Sequence, residues 1–144
     1  MRSEAYSLGS RLIACIAILA SSGLLSACIA EPAGTVVLGL NESNRDVIVA
    51  SSQHQVAPRV LTAHTWGRLF DDYRRPSGEI TVFDTDCHPL ATLPLTRAID
   101  TLRIGPQNEI AFIGRGDNIL PSGVHQAPPN PNGGGTLWAE ATCP

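Results

Sequence analysis

Apolar and polar residues alternate along much of the chain from residue 35 onward. Val36, Leu38 and Leu40 alternate with Thr35, Val37 and Gly39, which is the period of two expected of a β-strand. Asn41 to Asn44 has the composition of a turn, and the apolar run Val-Ile-Val-Ala that follows Asp46 reads as a second strand. The pattern therefore predicts a hairpin formed by residues 35–40 and 46–51.

Further strands are predicted downstream by the same pattern. Residues 56–63 form an extended stretch, and Pro58 favours an edge position for it because proline cannot donate to a strand ladder. Residues 79–87 give the clearest strand of the chain. Residues 101–104 and 109–113 predict a second hairpin around the turn 105–108.

Residues 65–78 are the least regular part of this region. Trp66, Leu69, Phe70 and Tyr73 have the spacing of one apolar face of a short helical turn. The same residues are also compatible with a long loop that closes a sheet. The sequence leaves these two alternatives open.

Short strands at roughly ten-residue spacing, without helical periodicity over three turns, predict an all-β domain. A β-sandwich or a small barrel fits this spacing. We expect a small antiparallel β-sandwich, Ig-like in general architecture, spanning residues 35–144. Its C-terminal tail, residues 121–144, begins with a stretch rich in Pro and Gly.

The amino terminus has a different pattern, that of an export signal. Arg2 and Arg11 precede the apolar stretch from Leu12 to Ala20, and small residues follow it. The segment ends in Leu25-Ser26-Ala27-Cys28. An aliphatic residue, two small residues and a cysteine resemble the lipobox of bacterial lipoproteins.

This resemblance implies cleavage in front of Cys28 and a diacylglycerol on its sulfur. Residues 1–27 would then be the signal peptide, and residues 28–34 the lipidated cysteine with its tether. The protein would be anchored to a membrane of the cell envelope on the extracytoplasmic side. Two acyl chains make such an anchor stable. There are two alternatives. The first is an uncleaved membrane anchor over the 19 uncharged residues between Arg11 and Glu31, and the second is secretory cleavage after Ala30.

Two further cysteines, Cys87 and Cys143, remain in the predicted mature chain. In an oxidising compartment such a pair more often forms a disulfide than acts as two free thiols. We therefore expect a Cys87–Cys143 disulfide that holds the tail, with Leu137 and Trp138, against the strand that carries Cys87.

Composition excludes several classes of function. All ten basic residues are arginine, which excludes chemistry that requires lysine. From Cys28 onward eight arginines face twelve carboxylates, a net charge of −4, and no basic cluster indicates nucleic-acid binding. The common catalytic motifs and the phosphate-binding glycine loop are also missing from the sequence. No cofactor is expected, and the sequence favours a non-catalytic protein over an enzyme.

One cluster of chemistry-bearing residues stands out in the sequence. On a strand, Asp84, Asp86 and His88 would project from one face, where two carboxylates and an imidazole can hold a divalent metal. A flat strand spaces them too widely for one ion, so a bend or help from His54 or His64 would be needed. The competing interpretation is a solvated strand end that runs into a turn at Pro89.

The sequence therefore predicts a lipid-anchored cell-envelope protein whose small β-sandwich is a binding or structural module. Its partners would be the membrane, through Cys28, and an envelope protein. An extracytoplasmic metal-binding protein using Asp84, Asp86 and His88, and a small envelope hydrolase, are the alternatives.

Overall fold

A computed structural model describes residues 34–54, 56–72, 74–115, 120–132 and 135–143. The predicted signal segment, Cys28 and all of the tether except Gly34 lie outside the described residues. Among those described, no helix has the length and apolar character to cross a membrane.

Ten strands make up the described chain. In order they are β1 (Thr35–Asn41), β2 (Val47–Ser51), β3 (Arg59–Leu61), β4 (Thr65–Asp72), β5 (Glu79–Phe83), β6 (Pro89–Pro94), β7 (Ile99–Ile104), β8 (Ile110–Phe112), β9 (His125–Gln126) and β10 (Ala139–Glu140).

The strands form two five-stranded sheets. The first sheet has the order β8-β7-β1-β4-β9 and the second has the order β10-β3-β2-β5-β6. Most neighbours are antiparallel, but β1 pairs with β7 and β4 with β9 in parallel. The expected all-β sandwich is confirmed, with a parallel component that alternation alone does not indicate.

The main core lies between the two sheets and draws on both. The first sheet contributes Val37, Leu69, Phe70, Leu102 and Ile104, and the second contributes Val47, Val49, Leu61, Ile80 and Val82. Leu95, Ala127 and Trp138 from the connections and the tail complete this core.

The predicted first hairpin is wrong, because β1 and β2 belong to different sheets. Asn41 ends β1 fully buried, and its amide makes four hydrogen bonds. Nδ2 donates to the carbonyls of Arg45 and Leu61, and Oδ1 accepts from the N–H and the hydroxyl of Ser43. These bonds fix a connection that carries the chain from one sheet to the other.

Neither alternative for residues 65–78 is correct, since most of the segment is the eight-residue strand β4. Val37 pairs with Phe70 and Leu38 with Arg68, so Leu69 is an extra, bulged residue. The bulge lets Leu69 and Phe70 both enter the core, which breaks the alternation along the strand. The side chain of Tyr73 lies outside the described residues.

Three other expectations have mixed outcomes. The second hairpin is confirmed by β7 and β8. The strand predicted over residues 79–87 ends earlier, at Phe83. The stretch containing Pro58 is not an edge, because β10 pairs with β3 on the side away from β2.

The C-terminal tail closes the sandwich along β4. Trp138 is buried and its Nε1 donates to the carbonyl of Arg68 at 2.6 Å, while the Thr136 hydroxyl accepts from the Arg68 N–H at 2.9 Å. A Cβ on Gly67 would lie 2.7 Å from the Thr136 hydroxyl and 2.9 Å from the Trp138 ring. Glycine at this position therefore permits the tail to approach the strand.

The end of the tail is bonded to the second sheet. Cys143 and Cys87 form a disulfide with an S–S distance of 2.08 Å, as expected. Cys143 also packs with Ile48 and Phe83 in a second apolar cluster, separate from the main core. The disulfide therefore covers apolar side chains on the outer side of the second sheet.

Replacing Cys87 and Cys143 by serine should lower the free energy of unfolding by about 2–5 kcal/mol, because the bond closes a loop across a sequence separation of 56 residues. Urea denaturation followed by tryptophan fluorescence measures this loss. Reduction of the wild-type protein should move its midpoint toward that of the variant. Unchanged midpoints in both experiments would contradict a stabilising cross-link.

Candidate functional site

The predicted metal ligands lie in the turn between β5 and β6 rather than on a strand. The Asp84 N–H donates to the carbonyl of His88 at 3.0 Å, and the Cys87 N–H donates to the carbonyl of Asp84 at 3.1 Å. Cys87 adopts a positive φ of 64°, which reverses the chain. The expectation that Asp84, Asp86 and His88 share one strand face is therefore wrong.

The turn nevertheless brings the three side chains together. One potential ligand atom from each of Asp84, Asp86 and His88 lies within 4.8 Å of the others. Asp84 Oδ1 accepts the backbone N–H groups of Asp86 and His88, and its Oδ2 lies 3.2 Å from His88 Nδ1. Hydrogen bonds led by that from the His88 backbone hold the pKa of Asp84 below its ordinary value.

The other two histidines considered for this cluster do not join it. His64 Nε2 bonds to the Asn44 side chain at 2.9 Å. His54 is buried, stacked on Phe70 with ring centroids 5.2 Å apart. The contacts of Asp84 are those that close a hairpin, so they account for the cluster without an ion.

His54 lies three residues beyond the end of β2 and is buried. Ser51 Oγ accepts the His54 backbone N–H and lies 2.6 Å from Nδ1. Nε2 is buried and has no hydrogen-bond partner among the described residues. Burial lowers the pKa of this imidazole below 6.5, against the opposing charge of Asp72. The ring is therefore held in its neutral form near pH 7.

An ion pair stabilises the chain beside His54. The Arg74 guanidinium bonds to Asp72, and its hydrogen bond lowers the pKa of that carboxyl to about 2. Arg74 also donates to the carbonyl of Gln53, the residue before His54. Arg74 therefore connects the segment after β4 to the segment that carries the buried imidazole.

A groove with a volume of about 380 Å³ lies on the first sheet, beside the tail. Strands β1 and β4 contribute most of its lining, and the tail supplies the remainder from β9 and from the segment at residues 135–136. The lining residues are Leu38, Trp66, Gly67, Arg68, Gln126, Gly135 and Thr136. The sequence did not indicate this groove, since no local motif unites positions so far apart.

Trp66 is the aromatic residue of the groove. It is half-buried, and its Nε1 atom is buried without an acceptor among the described residues. Arg68 lies on the same strand, exposed, with Nη1 3.2 Å from Asp71 Oδ2. An unpaired indole N–H is costly in a folded protein and calls for a reason.

Substituting Asp84 by alanine should lower the thermal unfolding midpoint, because the N–H groups of Asp86 and His88 lose the acceptor that closes the turn. Asp84→Asn keeps an acceptor oxygen and should retain most of the stability. Thermal unfolding of both variants compares them. A loss that appears only in the presence of a divalent cation would instead indicate that the turn holds an ion.

Stability should decrease as the pH falls below about 6.5, because the unfolded chain binds a proton at His54 more tightly than the folded protein does. The contribution of the neutral His54 ring to the free energy of unfolding is complete above the unfolded-state pKa. It is lost as the pH falls toward the lower folded-state pKa. Urea midpoints of wild type and His54→Phe between pH 5 and pH 8 measure it. The variant, which keeps a ring against Phe70, should show the flatter profile.

The exposed His125 provides the matched control, since His125→Gln should leave the pH profile as in wild type. A wild-type profile that coincides with that of His54→Phe over this range would contradict the assignment to His54.

Comparison of the chain with protein-family models, with curated proteins and with solved structures finds no match in any of the three.

Proposed function

We propose that this chain is a lipid-anchored protein of the bacterial cell envelope, and that its β-sandwich is a binding module. The observation that carries the proposal is the segment Leu25-Ser26-Ala27-Cys28 at the end of an apolar export signal. Lipid on Cys28 would hold the mature protein to a membrane, facing the extracytoplasmic side.

The pairing of the other cysteines supports this assignment. Cys87 and Cys143 bond to each other, so neither is available to pair with Cys28. A disulfide between elements far apart in sequence is typical of proteins that leave the reducing cytosol. This pairing leaves Cys28 as the cysteine of the mature chain to which we assign the lipid.

The start of the fold limits the distance between domain and membrane. β1 begins at Thr35, seven residues after Cys28, and an extended chain of that length reaches at most about 25 Å. The Thr35 hydroxyl donates to the Arg74 carbonyl, which fixes the point where the tether joins the sandwich.

The lining of the groove favours binding over catalysis. The seven lining residues that the structure describes include no carboxylate, imidazole or thiol, and these are the groups that usually act as general acids, bases or nucleophiles. An indole, a guanidinium and an amide suit the recognition of a ligand. The groove is therefore the part of the module to which we assign binding, with an envelope component as its partner.

Replacing Cys28 by serine should abolish lipid attachment and release the protein from the membrane fraction, because the residue supplies the acylated sulfur. Metabolic labelling with a fatty-acid analogue and fractionation of the producing bacterium measure both effects. Mass spectrometry of the mature amino terminus identifies the cleavage site and the attached lipid.

Cys15→Ser is the matched control, since this cysteine lies within the apolar core of the signal and should be removed with it. That variant should remain labelled and membrane-bound. An unlabelled wild-type protein, or one whose amino terminus is not residue 28, would refute the lipoprotein assignment.

A further inference from the structure

We propose that the groove on the first sheet binds a neutral saccharide unit of an envelope glycan. Its volume of about 380 Å³ lies within the range of small-ligand sites. The proposal rests on the proposed function for the source of the glycan, since an exported, envelope-anchored domain is surrounded by such polymers. The chemistry of the groove does not depend on lipid at Cys28.

The apolar part of the groove is provided by Trp66 and Leu38. Trp66 lies on β4 and Leu38 lies on β1. Leu38 pairs across these two strands with Arg68. A sugar ring presents C–H groups on its faces, and these pack against an indole. Aromatic rings of this kind supply a large apolar contact area for such a face.

The polar part of the groove offers both donors and acceptors. Gln126 is exposed on β9, and its side-chain amide has no hydrogen-bond partner among the described residues. The Thr136 hydroxyl accepts from the Arg68 N–H, which leaves its own proton free to donate. Hydroxyl groups at the rim of a sugar ring both donate and accept, and they match this mixture.

The charge of the groove favours a neutral ligand. Arg68 is the only charged residue among the described lining residues, and Asp71, 3.2 Å away, partly offsets its charge. An anionic ligand beside Arg68 would also be repelled by this carboxylate. A purely aliphatic ligand would remove Gln126 and Arg68 from water without replacing their hydrogen bonds, which is unfavourable. A neutral polyhydroxylated ring meets neither obstacle.

The test is a titration of the full processed protein, purified with its disulfide intact, with tetra-N-acetylchitotetraose and, separately, maltotetraose. Isothermal calorimetry follows binding in all variants, and intrinsic tryptophan fluorescence, to which Trp66 and Trp138 both contribute, follows it in the wild type. We expect saturable binding of at least one tetrasaccharide. Trp66→Ala should weaken it by about tenfold or more, as expected when an aromatic anchor is truncated, and Trp66→Phe should retain most of it.

Two further variants keep the test decisive if Trp66→Ala fails to fold. Gln126→Ala changes an exposed side chain on a two-residue strand and should weaken binding severalfold. Leu90→Ala, an exposed aliphatic position on β6 of the other sheet, should leave binding unchanged. Equal effects of Gln126→Ala and Leu90→Ala would overturn the assignment to the groove.

Absence of binding to both tetrasaccharides at millimolar concentration would also overturn the proposal, as would binding unaffected by Gln126→Ala and Trp66→Ala. These outcomes are separate from those for Cys28. A chain that lacks lipid but binds a tetrasaccharide keeps the groove assignment and loses the anchor. A lipidated chain that binds neither keeps the anchor and loses the saccharide.

Discussion

The fold depends on the docking of its C-terminal tail, which the Cys87–Cys143 disulfide fixes. The tail completes two apolar clusters: Trp138 enters the main core, and Cys143 covers Ile48 and Phe83 on the outer side of the second sheet. Residues 121–135 are too rich in Pro, Gly and Asn to form a core of their own. The disulfide is therefore the constraint that keeps this segment, which cannot fold by itself, in contact with the rest of the domain. A domain of this size is only marginally stable.

Docking of the tail also protects the edge of the first sheet. The two-residue strand β9 pairs only with the beginning of β4, at Thr65 and Trp66. Further along β4, side chains of Thr136 and Trp138 bond to the N–H and the carbonyl of Arg68. Side-chain groups thus take the place of a strand where β9 has ended, and they leave less of the β4 edge open to pairing with another chain.

Sequence patterns predict this fold where each strand alternates and fail where tertiary contacts override the alternation. Ile80 and Val82 enter the main core while Phe83 joins the outer cluster, as a period of two requires. At Leu69 a bulge inserts one residue, and the apolar spacing then imitates a helix. At Asn41 a composition typical of a turn conceals a crossing between sheets, because the decisive bond, to the Leu61 carbonyl, is made 20 residues away.

The same distinction separates the two candidate sites. Asp84, Asp86 and His88 are close in sequence, so they could be considered together as a candidate site. A strand would have spaced them too widely for one ion, and the turn that brings them together was not predicted. The groove is different, because its indole comes from β4, while its amide and hydroxyl come from two separate parts of the tail, β9 and Thr136. Thr136 reaches the groove only because Gly67 lets the tail approach, and the tail ends in the disulfide. The groove is thus a product of the completed fold. Conditions that oxidise Cys87 and Cys143 to the disulfide favour assembly of the groove.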